Sequence, residues 1–114
     1  MSVEAVTPWQ VVGRSVRGAT HLRDGLPNQD AVAHRTIVEG GQPALAIAAV
    51  ADGHGGRRHF RSADGARMAV EVALQVLCSM ATHFEQLSPA DRSELAAAQV
   101  PMAIVSAWTD AVRR

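Results

Sequence analysis

The sequence predicts an α+β fold, with N-terminal strands followed by two or three helices. Two observations carry that reading. Short runs of β-forming or small apolar residues, broken by glycines, fill the first half. Apolar residues recurring every three or four positions fill the second.

The first strand is expected in "WQVVGRSVRG" (9–18), which closes on Gly18. "QDAVAHRTIV" (29–38) and "PALAIAAVAD" (43–52) form a second and third, and "EGGQ" (39–42) between them is a hairpin turn. Ala44 to Val50 lacks polar alternation. It reads as a strand buried on both faces, at the centre of a layered fold, in preference to a short alanine-rich helix.

A long helix should begin near Ser62 as its cap, with Asp64 in the first turn facing the positive end of the dipole. Ala66, Ala69, Val70, Ala73, Val76, Leu77, Met80 and Phe84 mark its apolar side. Arg67, Glu71, Gln75, Ser79 and His83 mark the other, with Arg67 and Glu71 spaced for an ion pair. "LSPADRSEL" opens the next helix: Ser88 caps, Pro89 takes the first position and Asp91 completes a capping box. Pro101 either kinks that helix or begins a third. Met68, Met80, Met102 and Trp108 read as core or partner-facing, and Cys78 as a core thiol.

The 114 residues suit one small domain or part of a larger one, and an apolar content of 47% allows a modest core. Eleven acidic and eleven basic residues balance, so nothing points to nucleic acid or a membrane surface. The single cysteine excludes an internal disulfide. "MSVEAVTPWQ" is no secretory signal, and the longest apolar run, Ala44 to Ala51, is too short for a bilayer. A cytoplasmic protein is expected. The chain stops at "TDAVRR" inside a helical pattern with no strand after it, which reads as the N-terminal part of a longer domain.

The chemistry concentrates in "AAVADGHGGRRHF" (48–60). A strand delivers Asp52 at its carboxyl end, and Gly53 lets the chain turn so that its carbonyl can point with the Asp52 side chain. A carboxylate and a main-chain carbonyl are hard oxygen donors, suited to Mg²⁺ or Mn²⁺. His54 can carry a proton near neutral pH. Upstream, Asn28-Gln29-Asp30 opens the preceding strand, and neighbouring strands can set Asp30 beside Asp52. A divalent cation would relieve the repulsion of two such carboxylates.

"GLPNQDAV" followed by "AAVADGHGG" resembles the metal-dependent protein phosphatases of the 2C type. The resemblance runs from about residue 10 through "RSADGARMAVEVAL" to residue 84, and "GATHLRDGLPNQDA" is similar to a divergent bacterial branch. It implies a layered αββα β-sandwich with a two-metal centre between the sheets. It also implies hydrolysis of phosphoserine and phosphothreonine esters by a metal-activated water. Carried over, Asp52 bridges two Mn²⁺ or Mg²⁺ ions, the Gly53 carbonyl ligates one, Asp30 acts through water, and His54 protonates the leaving alkoxide. Gln29 stands where the family has glutamate; its amide can hydrogen-bond a metal-held water but brings no charge. The family's phosphate-binding arginine falls at Gly25, so Arg23, ahead of Arg17 and His21, is the candidate phosphate ligand. The family's two later aspartates find no match in Asp91 or Asp110. Residues 1–114 therefore read as an incomplete, inactive portion of one phosphatase domain acting on a phosphorylated protein, with an exposed sheet through which copies associate. The alternatives are a catalytically dead, phosphatase-like binding module, and an interaction domain in which the glycine turn is incidental.

Overall fold

The computed structural model describes residues 11–25, 28–53 and 62–113. The order is α1 (Ala19–Asp24), β1 (Ala31–Glu39), β2 (Gln42–Ala51), α2 (Ser62–Gln86), α3 (Pro89–Glu94), a π turn (Leu95–Gln99) and α4 (Val100–Val112). From β1 onward this is the order the sequence predicts, strands and then helices; the short α1 before them was not among its expectations.

β1 and β2 pair antiparallel through a two-residue turn. Gly40 and Gly41 sit at φ 56° and 77°, the left-handed region that such a turn needs at both central positions. The register runs from Glu39↔Gln42 to Ala31↔Ala51 and shifts once between Ile37 and Val38, beside Pro43. Proline has no N–H to give a ladder, so an irregularity is tolerated there.

One face of the hairpin, carrying Ile47, packs on α2; Ile47 is buried. The other face is open, and Val50 is 81% exposed. The reading of Ala44 to Val50 as a strand buried on both faces is therefore corrected: among the described residues β2 has one partner strand and one covering layer, and Val50 is exposed. The strand expected at 9–18 is also corrected. Residues 11–18 form no ladder, and residues 9 and 10 lie outside the described residues. Instead Gly18 accepts a hydrogen bond from the amide of Leu22 (3.0 Å), four residues on, which opens α1. Gly13 approaches the side chains of Val32 and His34 so closely that a Cβ there would lie 3.0 Å from a Val32 methyl, so the segment crosses side chains rather than pairing.

α2 buries Ala66, Val70, Val72, Ala73, Leu74 and Ala81. Its predicted polar side, Arg67 to His83, is exposed. Arg67 pairs with Asp64 at 3.1 Å; the expected partner was Glu71. Val72 and Leu74 depart from the single-stripe reading because α2 is packed on two sides, by the hairpin and by α4. Ser88 caps α3, accepting from the Asp91 amide.

Pro101 sits in the first turn of a new helix, α4, one of the two readings the sequence left open. The residues before it widen into the π turn, where the Val100 amide reaches back five residues to the Leu95 carbonyl. Proline lacks the amide that an α-turn would use and crowds the carbonyl four residues back, and a wider turn accommodates both. Pro89–Val112 is, among the described residues, the one helix long and apolar enough to cross a membrane by length and composition. Here it lies against α2, and the Trp108 indole N–H donates to the Gly65 carbonyl at 3.0 Å. Met102 is 74% exposed.

Candidate functional site

The strand ends opposite the Gly40–Gly41 turn meet where the sequence concentrates its chemistry. Ala31↔Ala51 is the last pair of the ladder. Asp30 and Asp52 are the residues immediately beyond it on the two strands, with Gln29 and Gly53 next in turn. The Gly53 amide donates to Asp30 Oδ1 at 3.2 Å, which ties the two strand ends together. Both aspartates are exposed. Like charges at adjoining strand ends disfavour one another, and the Gly53 amide dipole answers that of Asp30.

A local frame fixes Asp30. Asn28 Oδ1 accepts from the Asp30 amide at 3.1 Å, an Asx turn into the strand. Asn28 Nδ2 donates to Ser15 Oγ at 2.6 Å, and Ser15 Oγ donates to the Asp30 carbonyl at 3.3 Å. Ser15 escaped the sequence reading; its partners lie 13 and 15 residues away, and no spacing rule links a serine in an irregular segment to them.

Gln29 is 1% exposed, the most deeply buried polar side chain among the described residues. Its Oε1 has no hydrogen-bond donor among the described residues. Buried polar atoms are nearly always paired, so an orphaned one asks for a water, an ion or a function.

The carbonyl of Gly53, the carboxylates of Asp30 and Asp52 and the amide oxygen of Gln29 are all hard oxygen donors. In kind they fit a small divalent cation. In number they are few: no group of three His, Cys, Asp or Glu side chains converges among the described residues. His54, the expected proton donor, lies outside the described residues, as do Arg57, Arg58 and His59. Arg23 is exposed on the last turn of α1 and makes no hydrogen bond or ion pair among the described residues. Cys78 is half-buried rather than a sealed core thiol, and its sulfur accepts from Arg35 Nη1 at 3.5 Å.

A family model described as protein phosphatase 2C matches residues 17–114, extending past the stretch that carries the motif resemblance. No curated protein and no solved structure gives a significant match.

Proposed function

The chain belongs to the protein phosphatase 2C family, and from that premise we propose that it supplies one side of a divalent-cation site in a serine/threonine protein phosphatase. The observation that supports this most is the meeting of Asp30, Asp52 and Gly53 at one strand mouth, closed by the Gly53–Asp30 hydrogen bond.

Mn²⁺ or Mg²⁺ held there would neutralise phosphate charge and acidify a water. The chain's own residues have separable tasks. Asp52 presents its carboxylate to the cation, together with the carbonyl of Gly53. Asp30, steadied by Asn28 and Ser15, acts through water. His54, two residues past Asp52 in the sequence, donates the proton that an alkoxide leaving group needs, a contribution of roughly 10²- to 10⁴-fold. Arg23 is the candidate for gripping the phosphate oxygens. The substrate is a phosphorylated protein in the cytoplasm. With so few ligating side chains, this chain alone holds the cation weakly and turns over little.

The test pairs binding with turnover. Mn²⁺ should raise the melting temperature of the chain, and Asp52→Asn should abolish that rise. Any hydrolysis of a phosphoserine peptide should vanish in EDTA. A Mn²⁺ response that survives Asp52→Asn defeats the assignment. The shortage of ligating side chains and the neutral Gln29 favour a second reading, a phosphatase-like module that binds without catalysis. It is selected by phosphopeptide binding that neither Mn²⁺ nor Asp52→Asn changes.

A further inference from the structure

The helical layer is wider than the sheet beneath it. Two packed helices cover about 20 Å, and two paired strands about 10 Å. α2 lies on both strands, whereas α4 packs on α2 and makes little contact with the hairpin. The overhang is on the β2 side, where a groove of about 300 Å³ opens against Leu77, Met80 and Phe84 of α2 and Leu95 of the π turn. Four consecutive strand residues, Leu45 to Ala48, line it as well. Alternate side chains of a strand point to opposite faces, so the groove meets β2 along its edge. That edge has no partner strand among the described residues. An apolar trough beside unpaired main-chain N–H and C=O groups suits an extended apolar segment, which satisfies both.

The chain carries such a segment within reach. Residues 1–10 lie outside the described residues and ahead of the family match, which begins at residue 17. They include Val3, Ala5, Val6 and Trp9, and one charged side chain, Glu4. Gly13 shows where they lead from. It lies against Val32 and His34. That is the face of the hairpin away from α2, because the alternate residue Arg35 reaches Cys78 on α2. His34 pairs with Ala48, which is also the end of the groove. From β1 to the far edge of β2 is about 10 Å, two strand spacings. The four residues from Gly13 back to Trp9 reach about 13 Å. A tether this short holds the segment at an effective concentration of about millimolar. In an extended chain Ala5, Thr7 and Trp9 share one face and Glu4 and Pro8 the other, so Trp9 can enter the groove while Glu4 stays in water. A proline is tolerated in an outermost strand, where its missing N–H faces solvent.

We propose that residues 3–9 run along the free edge of β2 and that Trp9 fills the groove between β2, α2 and the π turn. The groove is then a docking surface for the chain's own N-terminal segment, independent of any cation at the Asp30–Asp52 end. Trp108→Phe leaves Trp9 as the only tryptophan, so its fluorescence reports on the segment. In the full chain with that change, acrylamide should quench Trp9 several-fold less than in the same chain unfolded in urea. Ala96→Glu puts a charge into the groove from an exposed helix position, which the fold tolerates. It should bring quenching to the unfolded level with the far-ultraviolet circular dichroism unchanged, and Ala96→Ser should keep the protection. With Trp108 restored, Trp9→Ala and Ala96→Glu should each lower the melting temperature, and together lower it no further than either alone. Free quenching of Trp9 in the folded chain, protection that survives Ala96→Glu, or additive losses in the double variant overturns the proposal. Protection that rises with protein concentration also overturns it, and gives the groove to the segment of a second copy.

Discussion

Ser15 shows how much of the candidate site is held by residues that carry no chemistry. Its hydroxyl receives Asn28 Nδ2 and donates to the Asp30 carbonyl, so one atom joins an irregular segment to the start of β1. Ser15→Ala removes both bonds and should lower stability by about 1 kcal/mol, the usual net worth of such contacts. Thermal melting reads the loss, and Ser15→Thr should recover most of it. A Ser15→Ala protein as stable as wild type would mean that the Asx turn alone fixes Asp30. The same contrast separates what the sequence disclosed from what it withheld. Asp30 and Asp52 were legible because a strand pair has a period of two and the Gly40–Gly41 turn sets its register. Once the turn is placed, the strand ends must meet. The direction of Gln29 was not legible. A polar residue opening a strand reads as solvated, and only packing against other elements decides that it is buried. The partner of Arg67 was open for a similar reason: Asp64 and Glu71 are both within one turn, and spacing alone does not rank them.

The junction between α2 and α3 is the element whose ends are most fully answered. The last carbonyls of a helix lack intrahelical donors. Arg92 Nε and Nη2 donate to the Phe84 and Glu85 carbonyls, each at 2.9 Å, and the guanidinium stacks 5.2 Å from the Phe84 ring centre. A planar fork suits two adjacent carbonyls and an aromatic face together, and lysine cannot reproduce it. Arg92→Lys should therefore cost about 1 to 2 kcal/mol, close to the loss in Arg92→Met. A lysine variant that melts with wild type would show that charge alone suffices. Ser88→Ala, which removes the cap of α3, should cost about 1 kcal/mol by the same measurement. The sequence announced this cap, since serine before proline with a carboxylate three residues on is a local signal. It left Pro101 ambiguous between a kink and a new helix. The structure takes the second course: α4 begins at Val100 with Pro101 in its first turn, and the π turn before it inserts a residue into the helical register. That insertion sets which side of α4 meets α2, and so places Trp108 on the Gly65 carbonyl. Trp108→Phe, which keeps an aromatic ring and loses the donor, should cost about 1 kcal/mol.

At the scale of the whole molecule, the described residues form one hairpin, one helical layer and an open face. The accessible surface is 8556 Å², against roughly 6,000 Å² expected for a compact chain of this mass. The excess is apolar in part: Val50, Val38 and Met102 stand exposed, and an open groove of about 300 Å³ between β2, α2 and the π turn is lined by Leu45, Ile47, Leu77, Met80, Phe84 and Leu95. The described part of the sandwich that the sequence resembles is thus a helical layer and a two-stranded sheet. Ala46, Ala48 and Val50 share the open face of a strand that carries no charge from Gln42 to Ala51, so nothing along β2 repels a second copy of itself. Contiguous apolar surface of this kind drives association. We therefore expect the sedimentation coefficient to rise with protein concentration, and Val50→Lys, which puts a charge on the open face without touching the α2 side, to suppress that rise. The variant should melt within about 0.5 kcal/mol of wild type, because an exposed position gives up little packing. Sedimentation that stays monomeric at every concentration would show that residues outside the described segments cover the face. Association undiminished in Val50→Lys would move the contact to the exposed side of α4, where Met102 and Val105 lie.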